Sequence, residues 1–469
     1  MTQVERGIFS SFWKQVLNER STDPALFASD GTVLRTFQQV EEERAEWHCR
    51  LNDFSVGDCL VASLGNDPTW PAFLLACFDK ELVLAPIESE LPMTHIARLL
   101  EITHAQGRVS PEQIERFDRA PMTWNDSRPD LLKITSGTTT GAPRAVRTRQ
   151  AHLLADCRNI CGTMGIGPHD LNFGVISFSH SYGFSNLITP LLYQGTGLVC
   201  STDRMPRAIW RHLKDSHATV FPGTPALFQA LASLSDINDL GAIRLCISAG
   251  APMVPEISRL FHARFGRKIH SFYGSSECGG IAYDKDEDPK KPTGFVGAPL
   301  AGVKIVRLET DRIEIRSESV ADGYFPEPDP LLLDGNHFIP GDLVEWLGAE
   351  IRLVGRVSDF INVAGKKVHP SVVEEHLRKY PGVVDAIVFG IPSTNRNEDL
   401  VAYVVSSEDL SRQPLESHCR EGLSSWQVPR EIRFLAELPV NSRGKINRSE
   451  LAKLHLASEI SSTVTKFPC

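Results

Sequence analysis

Short apolar runs alternate with amphipathic stretches of about ten residues through the first three-quarters of the chain. The apolar runs predict buried strands, and several stretches between them begin at or near a proline, which favours the first turn of a helix. This alternation is typical of parallel sheets covered by helices, so we predict an α/β fold. The predicted strands lie at 59–64, 82–87, 173–178, 219–221, 243–248 and 268–273, and the predicted helices at 71–80, 151–161, 206–215, 225–234 and 255–265.

The pattern changes near Pro292, where short strands separated by turns replace the alternation. This favours a small β-rich subdomain at about 293–355, followed by a compact α+β tail that is long enough to fold by itself. We therefore predict a large N-terminal domain over residues 1–355 and a small C-terminal domain over 356–469. The predicted elements of this part are strands at 303–307, 312–317, 343–347, 351–354, 385–389, 400–405 and 431–435, and a helix at 371–380.

Charge and hydropathy exclude several classes of protein. The 469 residues include 49 Lys plus Arg and 58 Asp plus Glu, a net charge of −9, so nothing favours nucleic-acid binding. No apolar run approaches the ~18 residues that a membrane span needs, and the N-terminus does not resemble a signal peptide. The cysteines form no disulfide framework, and Cys157 and Cys161 are interpreted as reduced thiols in a helix rather than a metal site. We expect a soluble, cytoplasmic protein.

The segment from Ile134 to Arg144 has the composition of a polyphosphate-binding loop. It reads Ile-Thr-Ser-Gly-Thr-Thr-Thr-Gly-Ala-Pro-Arg and follows a predicted strand. Glycines allow the backbone to approach closely, hydroxyl and N–H groups donate to phosphate oxygens, and the arginine supplies positive charge. It is not a Walker A loop, because no Gly-Lys-Ser/Thr follows. Such stretches are more often ordinary surface loops. The interpretation as a phosphate site therefore depends on the other motifs in the chain.

Three further segments offer groups that suit a nucleotide. Segment 271–277 (Ser-Phe-Tyr-Gly-Ser-Ser-Glu) ends a predicted strand, where ligands bind in open α/β sheets. Its tyrosine, hydroxyls and carboxylate suit a base, a phosphate and a bound Mg²⁺. Asp342 and Arg356 offer a carboxylate and a guanidinium to a ribose. Lys445 lies on a glycine-containing turn near the C-terminus and alone would be interpreted as a solvated lysine.

In this order the four segments resemble the motifs of the adenylate-forming superfamily, which includes acyl-CoA synthetases, aryl-CoA ligases, luciferase-like enzymes and peptide-synthetase adenylation domains. The resemblance runs from about residue 56 to 451. Weaker matches are His-x-x-Gly at 180–183, Gly-Ala-Pro at 250–252 and Gly-x-Val-Gly at 294–297. The resemblance implies a large adenylation domain, a small mobile C-terminal domain that carries the catalytic lysine, and an AMP-forming acid–thiol ligase that uses ATP, Mg²⁺ and coenzyme A.

The resemblance also implies a role for each matching residue. Lys445 would bridge the substrate carboxylate and the α-phosphate, Ser276 would contact that phosphate, and Glu277 would hold Mg²⁺. The residues implied to bind ATP are Thr135, Ser136, Gly137, Thr138, Thr139, Thr140, Arg144, Ala251, Pro252, Tyr273, Asp342 and Arg356. Those implied for the acyl site are His180, Tyr182, Phe184 and Gly274, those for CoA are Gly365 and Lys366, and the implied hinge is Ser358.

The acyl-site segment favours some substrates over others. Amino-acid-activating relatives carry an aspartate there for the substrate ammonium, whereas residues 177–184 contain no acidic residue. Since a buried ammonium without a partner is expensive, we expect a fatty or aryl acid. CoA is the favoured acceptor because no large insertion precedes Arg356. The phosphopantetheine of an acyl carrier protein is an alternative acceptor, and a non-catalytic AMP-binding protein is an alternative of another class.

Overall fold

The computed structural model describes residues 7–120, 122–124, 128–135, 144–393, 397–407, 410–438, 448 and 450–456. Contacts divide the chain into a large unit, Met1–Pro340 with Trp346–Arg352, and a small unit, Gly341–Glu345 with Leu353–Cys469. The domain boundary expected after residue 355 stays a prediction about independently folding parts. Among the described helices, none combines the length and the apolar character of a membrane span.

The predicted alternation of strands and helices is present in the large unit, together with elements that were not predicted. The helices of the chain are α1 (Ile8–Arg20), α2 (Phe37–Arg50), α3 (Trp70–Asp79), α4 (Met93–Ile102), α5 (Gln150–Met164), α6 (Ser181–Gly183), α7 (Thr189–Gln194), α8 (Pro206–Asp215), α9 (Pro225–Ala232), α10 (Pro255–Phe265), α11 (Pro370–Arg378) and α12 (Arg412–Gly422). A π-helical turn, Phe184–Ile188, joins α6 to α7.

The strands fall into four sheets. They are β1 (Pro24–Ala28), β2 (Val33–Thr36), β3 (Cys59–Ala62), β4 (Val83–Pro86), β5 (Gly107–Val109), β6 (Ile114–Arg116), β7 (Leu131–Thr135), β8 (Arg144–Thr148), β9 (Leu171–Gly174), β10 (Gly197–Cys200), β11 (Val220–Gly223), β12 (Leu245–Ser248), β13 (Ile269–Ser275), β14 (Gly279–Tyr283), β15 (Phe295–Pro299), β16 (Lys304–Arg307), β17 (Ile313–Arg316), β18 (Gly323–Phe325), β19 (Asp342–Leu347), β20 (Glu350–Arg356), β21 (Ile361–Val363), β22 (Lys366–Val368), β23 (Val383–Ser393), β24 (Asn397–Ser406) and β25 (Glu431–Leu435).

The largest sheet is parallel only in its middle. Its order is β19-β20-β15-β14-β13-β12-β11-β9-β10-β1-β2, with parallel pairing from β13 through β1 and antiparallel pairing beyond both. The predicted parallel sheet is present in this middle part, and the antiparallel strands at both ends were not predicted. Only a tight turn connects Ser275 of β13 to Gly279 of β14, too short for the helical crossover that parallel neighbours require.

A second sheet, in the order β18-β8-β7-β4-β3-β5-β6, carries the phosphate-loop strands. The strands predicted within 293–355 exist, but they do not form a sheet of their own as a subdomain would. Strands β15, β19 and β20 extend the largest sheet, β18 pairs with β8, and only β16 and β17 form a separate pair. The short strands thereby cover edges of the two large sheets that would otherwise expose unpaired N–H and C=O groups.

Helix boundaries follow local rules that the sequence displays. Helix α10 begins at Pro255, whose missing N–H is not needed in the first turn, and ends before Gly266, which has φ 62°. The hydroxyl of Thr224 caps α9 by accepting from the Leu227 N–H at 3.4 Å. Helix α9 buries Phe228 completely beside the large sheet, where truncation to alanine is expected to cost about 3–5 kcal/mol.

The small unit has its own sheet and core. Strands β22, β21, β24 and β23 lie in that order, and β25 adds to β24 in parallel. Apolar side chains of α11, such as Val373 and Leu377, pack with those of β23 and β24. Helix α12 was not predicted, and it contributes the buried Leu415 and Cys419 to the same core.

Candidate active site

Strands β7 and β8 hold the two ends of the predicted phosphate loop together. Thr135, the last residue of β7, pairs with Arg144, the first residue of β8, and the Thr135 hydroxyl donates to the Arg144 carbonyl at 3.3 Å. The loop therefore starts and returns at one point of the sheet. The remaining predicted ligands lie outside the described residues, namely Ser136, Gly137, Thr138, Thr139 and Thr140.

A tyrosine that sequence reasoning missed contacts both charged groups beside this loop. The Tyr324 hydroxyl donates to Oε1 of Glu277 at 3.0 Å, and the Arg144 guanidinium lies 5.3 Å from the centre of the Tyr324 ring. Burial raises the pKa of Tyr324, so the hydroxyl keeps its proton and remains a donor. In the sequence only the adjacent Gly323 points to this position, and that signal is weak.

An ion pair two residues before Tyr324 in the chain helps to hold Tyr324 in position. Asp322 accepts two hydrogen bonds from Arg149, each of 2.8 Å, in the bidentate geometry of a strong pair. Arg149 also lies 3.1 Å from Nε2 of the buried His152. Burial lowers the pKa of His152 to about 4, so its ring is neutral at pH 7. This network ties β18 to the start of α5.

The predicted Ser276 meets the predicted acyl-site segment. The hydroxyl of Ser181, at the start of α6, donates to Oγ of Ser276 at 2.8 Å. Gly274 lies in the same strand end, and a Cβ there would lie 2.8 Å from the carbonyl oxygen of Gly279. The close turn between β13 and β14 therefore needs a glycine at 274, which explains this residue without a ligand.

Two of the predicted acyl-site side chains serve the framework. The Tyr182 hydroxyl donates to the carbonyl oxygens of Ile247 at 3.0 Å and Gly223 at 3.4 Å, and thereby anchors α6 to β12 and β11. Phe184 is 1% exposed and packs edge-on against Trp70. Phe184 is thus a core side chain, and the expected apolar wall has to be corrected at this position.

His180 has an acidic partner that the local sequence does not contain. Oε1 of Glu88, from the segment after β4, lies 2.6 Å from Nε2 of His180, although 92 residues separate the two in the chain. The absence of an acidic residue within 177–184 was therefore a poor guide to the charge of this site. Sequence reasoning had no local signal for the contact, because Glu88 precedes a different helix.

The predicted adenine-flanking residues lie at the ends of neighbouring parallel strands. Ala251 and Pro252 follow β12, and Tyr273 lies in β13, which pairs with β12. Ala251 is half-buried and Pro252 is exposed, while Tyr273 is 7% exposed. The carboxyl ends of adjacent parallel strands meet at one edge of the sheet, so these residues are brought to the same region.

Glu277 is suited to the predicted Mg²⁺. Its carboxylate is half-buried, Tyr324 holds one oxygen, and carboxylate oxygens are ligands that Mg²⁺ prefers. Among the described residues, no group of three or more His, Cys, Asp or Glu side chains could form an all-protein metal site. Cys157 and Cys161 are buried free thiols, and their sulfurs are 4.0 Å apart.

The predicted ribose-binding pair lies within the small unit. Nε of Arg356 donates to Oδ1 of Asp342 at 2.8 Å. The Arg356 main-chain N–H donates to Nε2 of His369 at 3.0 Å, and Nδ1 of His369 contacts the Ser371 hydroxyl at 2.7 Å. Gly355 is required beside this ring, because a Cβ there would overlap His369. Asp342 and Arg356 thus contact each other, and the His369 imidazole braces Arg356, while their binding of a ribose stays a prediction.

The remaining predictions also fall in the small unit. Gly365 is exposed with φ 82°, and the Lys366 ammonium lies 3.4 Å from the ring centre of Trp426. Ser358 lies in a 3₁₀ turn, Val357–Asp359. Lys445 lies outside the described residues.

Arg448, three residues after Lys445 in the sequence, is described and joins three elements of the small unit. Its guanidinium donates to Oδ2 of Asp359 at 3.0 Å, to Oε1 of Glu374 at 2.8 Å and to the Val388 carbonyl at 3.0 Å. These partners lie in the turn after Ser358, in α11 and in β23. Burial lowers the pKa of Arg448, but Glu374 and Asp359 more than offset it, so the charge is retained.

Two family models match this chain. The model of AMP-binding enzymes matches residues 130–325, and the model of the AMP-binding enzyme C-terminal domain matches residues 372–445. The chain therefore belongs to the AMP-binding enzymes of the adenylate-forming superfamily.

Curated relatives are similar over part of their length. The chain is 30% identical to the sulfoacetate–CoA ligase of Cupriavidus necator over 69% of this chain and 66% of that protein. It is 26% identical to a long-chain-fatty-acid–CoA ligase of Bacillus subtilis over 68% of this chain and 61% of that protein. The chain thus covers slightly less than two thirds of each. ATP-bound MatB of Rhodopseudomonas palustris has the same fold, with a TM-score of 0.82, 19% identity and coverage of 95% and 98% of the two chains.

Proposed function

We propose that the protein is an AMP-forming acid–CoA ligase that activates a carboxylic acid with ATP and transfers the acyl group to coenzyme A. The observation that carries the proposal is the contact from Arg144 through Tyr324 to Glu277 at the base of the phosphate loop. Membership of the AMP-binding enzymes and the names of the two CoA-ligase relatives support it. The proposed substrate is a fatty or aryl acid.

The reaction would proceed in two steps. A carboxylate oxygen of the acid attacks the α-phosphorus of ATP, the bond to pyrophosphate breaks, and an acyl-adenylate forms. The thiolate of CoA then attacks the acyl carbonyl carbon, and AMP leaves with the bonding electrons. Neither step requires covalent chemistry by the protein, so its contribution is positioning and neutralisation of charge.

The residues of the large unit supply much of this contribution. Arg144 provides positive charge beside the β- and γ-phosphates, and the Ser276 hydroxyl, whose Oγ accepts from Ser181, can donate to the α-phosphate. Glu277 would hold Mg²⁺, which supplies neutralisation of phosphate charge when bound. Tyr324 keeps the Glu277 carboxylate in one orientation, so little reorganisation remains when the substrates arrive.

The decisive experiment is a pyrophosphate-release assay with a panel of fatty, aryl and amino acids, each with and without CoA. The proposal predicts pyrophosphate release with at least one acid and faster AMP release when CoA is added. Release that ignores CoA but responds to a holo carrier protein would instead favour loading of a phosphopantetheine arm. Binding of ATP without pyrophosphate release from any acid would indicate a non-catalytic AMP-binding protein.

A further inference from the structure

A carboxylate of helix α5 lies against the turn that carries the predicted Ser276 and Glu277. Asp156 is 2% exposed, and its Oδ1 accepts the main-chain N–H of Gly280 at 2.8 Å, across 124 residues of sequence. Gly280 is the second residue of β14, just after the tight turn from β13. A Cβ at Gly279 would overlap the Asp156 carboxylate, so helix and turn are in close contact here. The position of the turn is therefore tied to a side chain of α5.

Two other bonds hold the main chain of this turn from a different part of the large unit. The Ala321 N–H donates to the Glu277 carbonyl at 2.9 Å, and the Ser319 hydroxyl donates to the Cys278 carbonyl at 2.7 Å. Both donors lie in the segment between β17 and β18. Asp156 adds a bond from α5, so the turn is fixed between two separate segments of the chain.

Helix α5 connects this contact with the phosphate loop. It begins two residues after the end of β8, whose first residue is Arg144. Arg149, which precedes the helix, forms the ion pair with Asp322, and Asp156 lies about two helical turns further along. One helix thus relates the end of the phosphate loop to the turn that carries Glu277.

A buried lysine favours the charged form of Asp156. Lys133 lies in β7, two residues before Thr135, and is 7% exposed. Burial lowers the pKa of Lys133 while Asp156 acts to raise it, and burial raises the pKa of Asp156 while Lys133 acts to lower it. Each charge offsets part of the cost of burying the other. Because an apolar side chain would be cheaper to bury, the bond to the Gly280 N–H is what explains a carboxylate at this position.

We propose that Asp156 is a positioning residue that acts through the main chain of the turn to place Ser276 and Glu277 for adenylation. The inference rests on the proposed function, which assigns Ser276 to the α-phosphate and Glu277 to Mg²⁺. Without the Asp156 carboxylate, the Gly280 N–H loses its acceptor and space opens beside Gly279. The turn can then shift, and a shift of about 1 Å in a catalytic group can cost about a hundredfold in rate.

The test measures the two half-reactions separately. Adenylation is followed by ATP–pyrophosphate exchange over a range of Mg²⁺ concentrations, with the acid of the panel above that the wild type activates fastest. Transfer is followed from the prepared acyl-adenylate of that acid to CoA. For Asp156→Ala we expect kcat of exchange to fall about tenfold, as for the loss of a hydrogen bond to a charged group, and the Mg²⁺ concentration for half-maximal activity to rise. Transfer should stay near the wild-type rate, because the bond to the α-phosphorus is already formed.

Two further variants at this position separate the hydrogen bond from the charge. Asp156→Asn keeps an oxygen for the Gly280 N–H but removes the charge opposite Lys133, so it should unfold at a lower temperature and retain the wild-type Mg²⁺ dependence. Asp156→Glu keeps the charge but adds a methylene where Gly279 leaves no room, so it should reproduce the kinetic defect of Asp156→Ala. Asp156→Glu decides the question if Asp156→Ala does not fold.

Asp58→Ala is the matched control for the loss of a buried carboxylate. Asp58 is 3% exposed, and its Oδ2 accepts one main-chain N–H, that of Ser55, at 2.8 Å. It lies just before β3 and contacts no residue of the turn at 276–280 through this bond. Asp58→Ala should therefore lower the temperature of unfolding and leave the rates of both half-reactions and the Mg²⁺ dependence unchanged.

The possible failures differ from one another. Wild-type exchange in Asp156→Ala, an equal loss of exchange and transfer, or the same kinetic defect in Asp156→Asn would overturn this inference while the ligase function stands. Absence of exchange in the wild type with every acid of the panel would overturn the proposed function and this inference with it.

Discussion

The Tyr324 hydroxyl lies 3.0 Å from Oε1 of Glu277, and the opposite charge, Arg144, lies over the face of the same ring. One neutral side chain therefore contacts a carboxylate through its hydroxyl and a guanidinium through its π-system. Tyr324 thereby orients both charged groups, and orientation of charged groups is the property that catalysis by positioning requires.

Removing this hydroxyl should impair adenylation more than folding. For Tyr324→Phe we expect kcat in ATP–pyrophosphate exchange to fall about tenfold, the equivalent of one hydrogen bond to a charged group. The Mg²⁺ concentration that gives half-maximal activity should rise. Tyr193→Phe is the matched control, because Tyr193 is also a half-buried tyrosine. Equal rates for the wild type and Tyr324→Phe would contradict the role assigned to Tyr324.

The ion pair of Asp342 and Arg356 predicts a nucleotide effect. If the Asp342 carboxylate binds the ribose hydroxyls, Asp342→Ala should weaken ATP binding by about tenfold or more, because two charge-assisted hydrogen bonds are lost. Isothermal titration with ATP measures the affinity. An affinity that remains at the wild-type value would refute the ribose assignment.

Lys445 predicts a separation of the two half-reactions. Lys445→Ala should abolish formation of the acyl-adenylate, while transfer from a supplied acyl-adenylate to CoA should continue. A compact ammonium charge is required only where the carboxylate meets the α-phosphate. Lys453→Ala, which removes an exposed lysine of the small unit, is the control and should affect neither step. Loss of both half-reactions in Lys445→Ala would refute this assignment.

The buried His152 predicts a dependence of stability on pH. Burial lowers its pKa to about 4 from an ordinary value of 6.5, so the folded state binds its proton less readily than the unfolded state. The stabilising effect is complete above pH 6.5 and is lost as the pH falls toward 4, with a slope of at most about 1.4 kcal/mol per pH unit.

Urea unfolding between about pH 7 and pH 5 measures this slope. His152→Gln should unfold with a shallower pH dependence than the wild type, and His95→Gln, which alters an exposed histidine, should not. Identical slopes for all three proteins would contradict the assignment of the acid sensitivity to His152.

Elements with strong local signals were predicted closely from the sequence. The helix predicted at 206–215 is observed as Pro206–Asp215, and that predicted at 255–265 as Pro255–Phe265. A proline marks the start of both, so the boundary is encoded in neighbouring residues. By contrast, the antiparallel course of β14 and β15 depends on a tight turn and on pairing between distant strands, which local periodicity does not report.

The site shows the same difference between local and long-range information. Segment motifs identified Glu277 and Arg144, but Tyr324 is 47 residues from Glu277, and Glu88 is 92 residues from His180. Neither partner has a distinctive local pattern. Phe184 illustrates the converse, since an aromatic residue in a motif has the same letter whether it lines a ligand site or fills the core.

The three bonds of Arg448 have a mechanical consequence. Asp359 directly follows the predicted hinge at Ser358, and Arg448 joins Asp359 to Glu374 of α11 and to the Val388 carbonyl of β23. These bonds hold the parts of the small unit that follow Ser358 together. If the chain turns at residue 358 as predicted, the bond from the Arg356 main-chain N–H to Nε2 of His369, which crosses this point, would have to break.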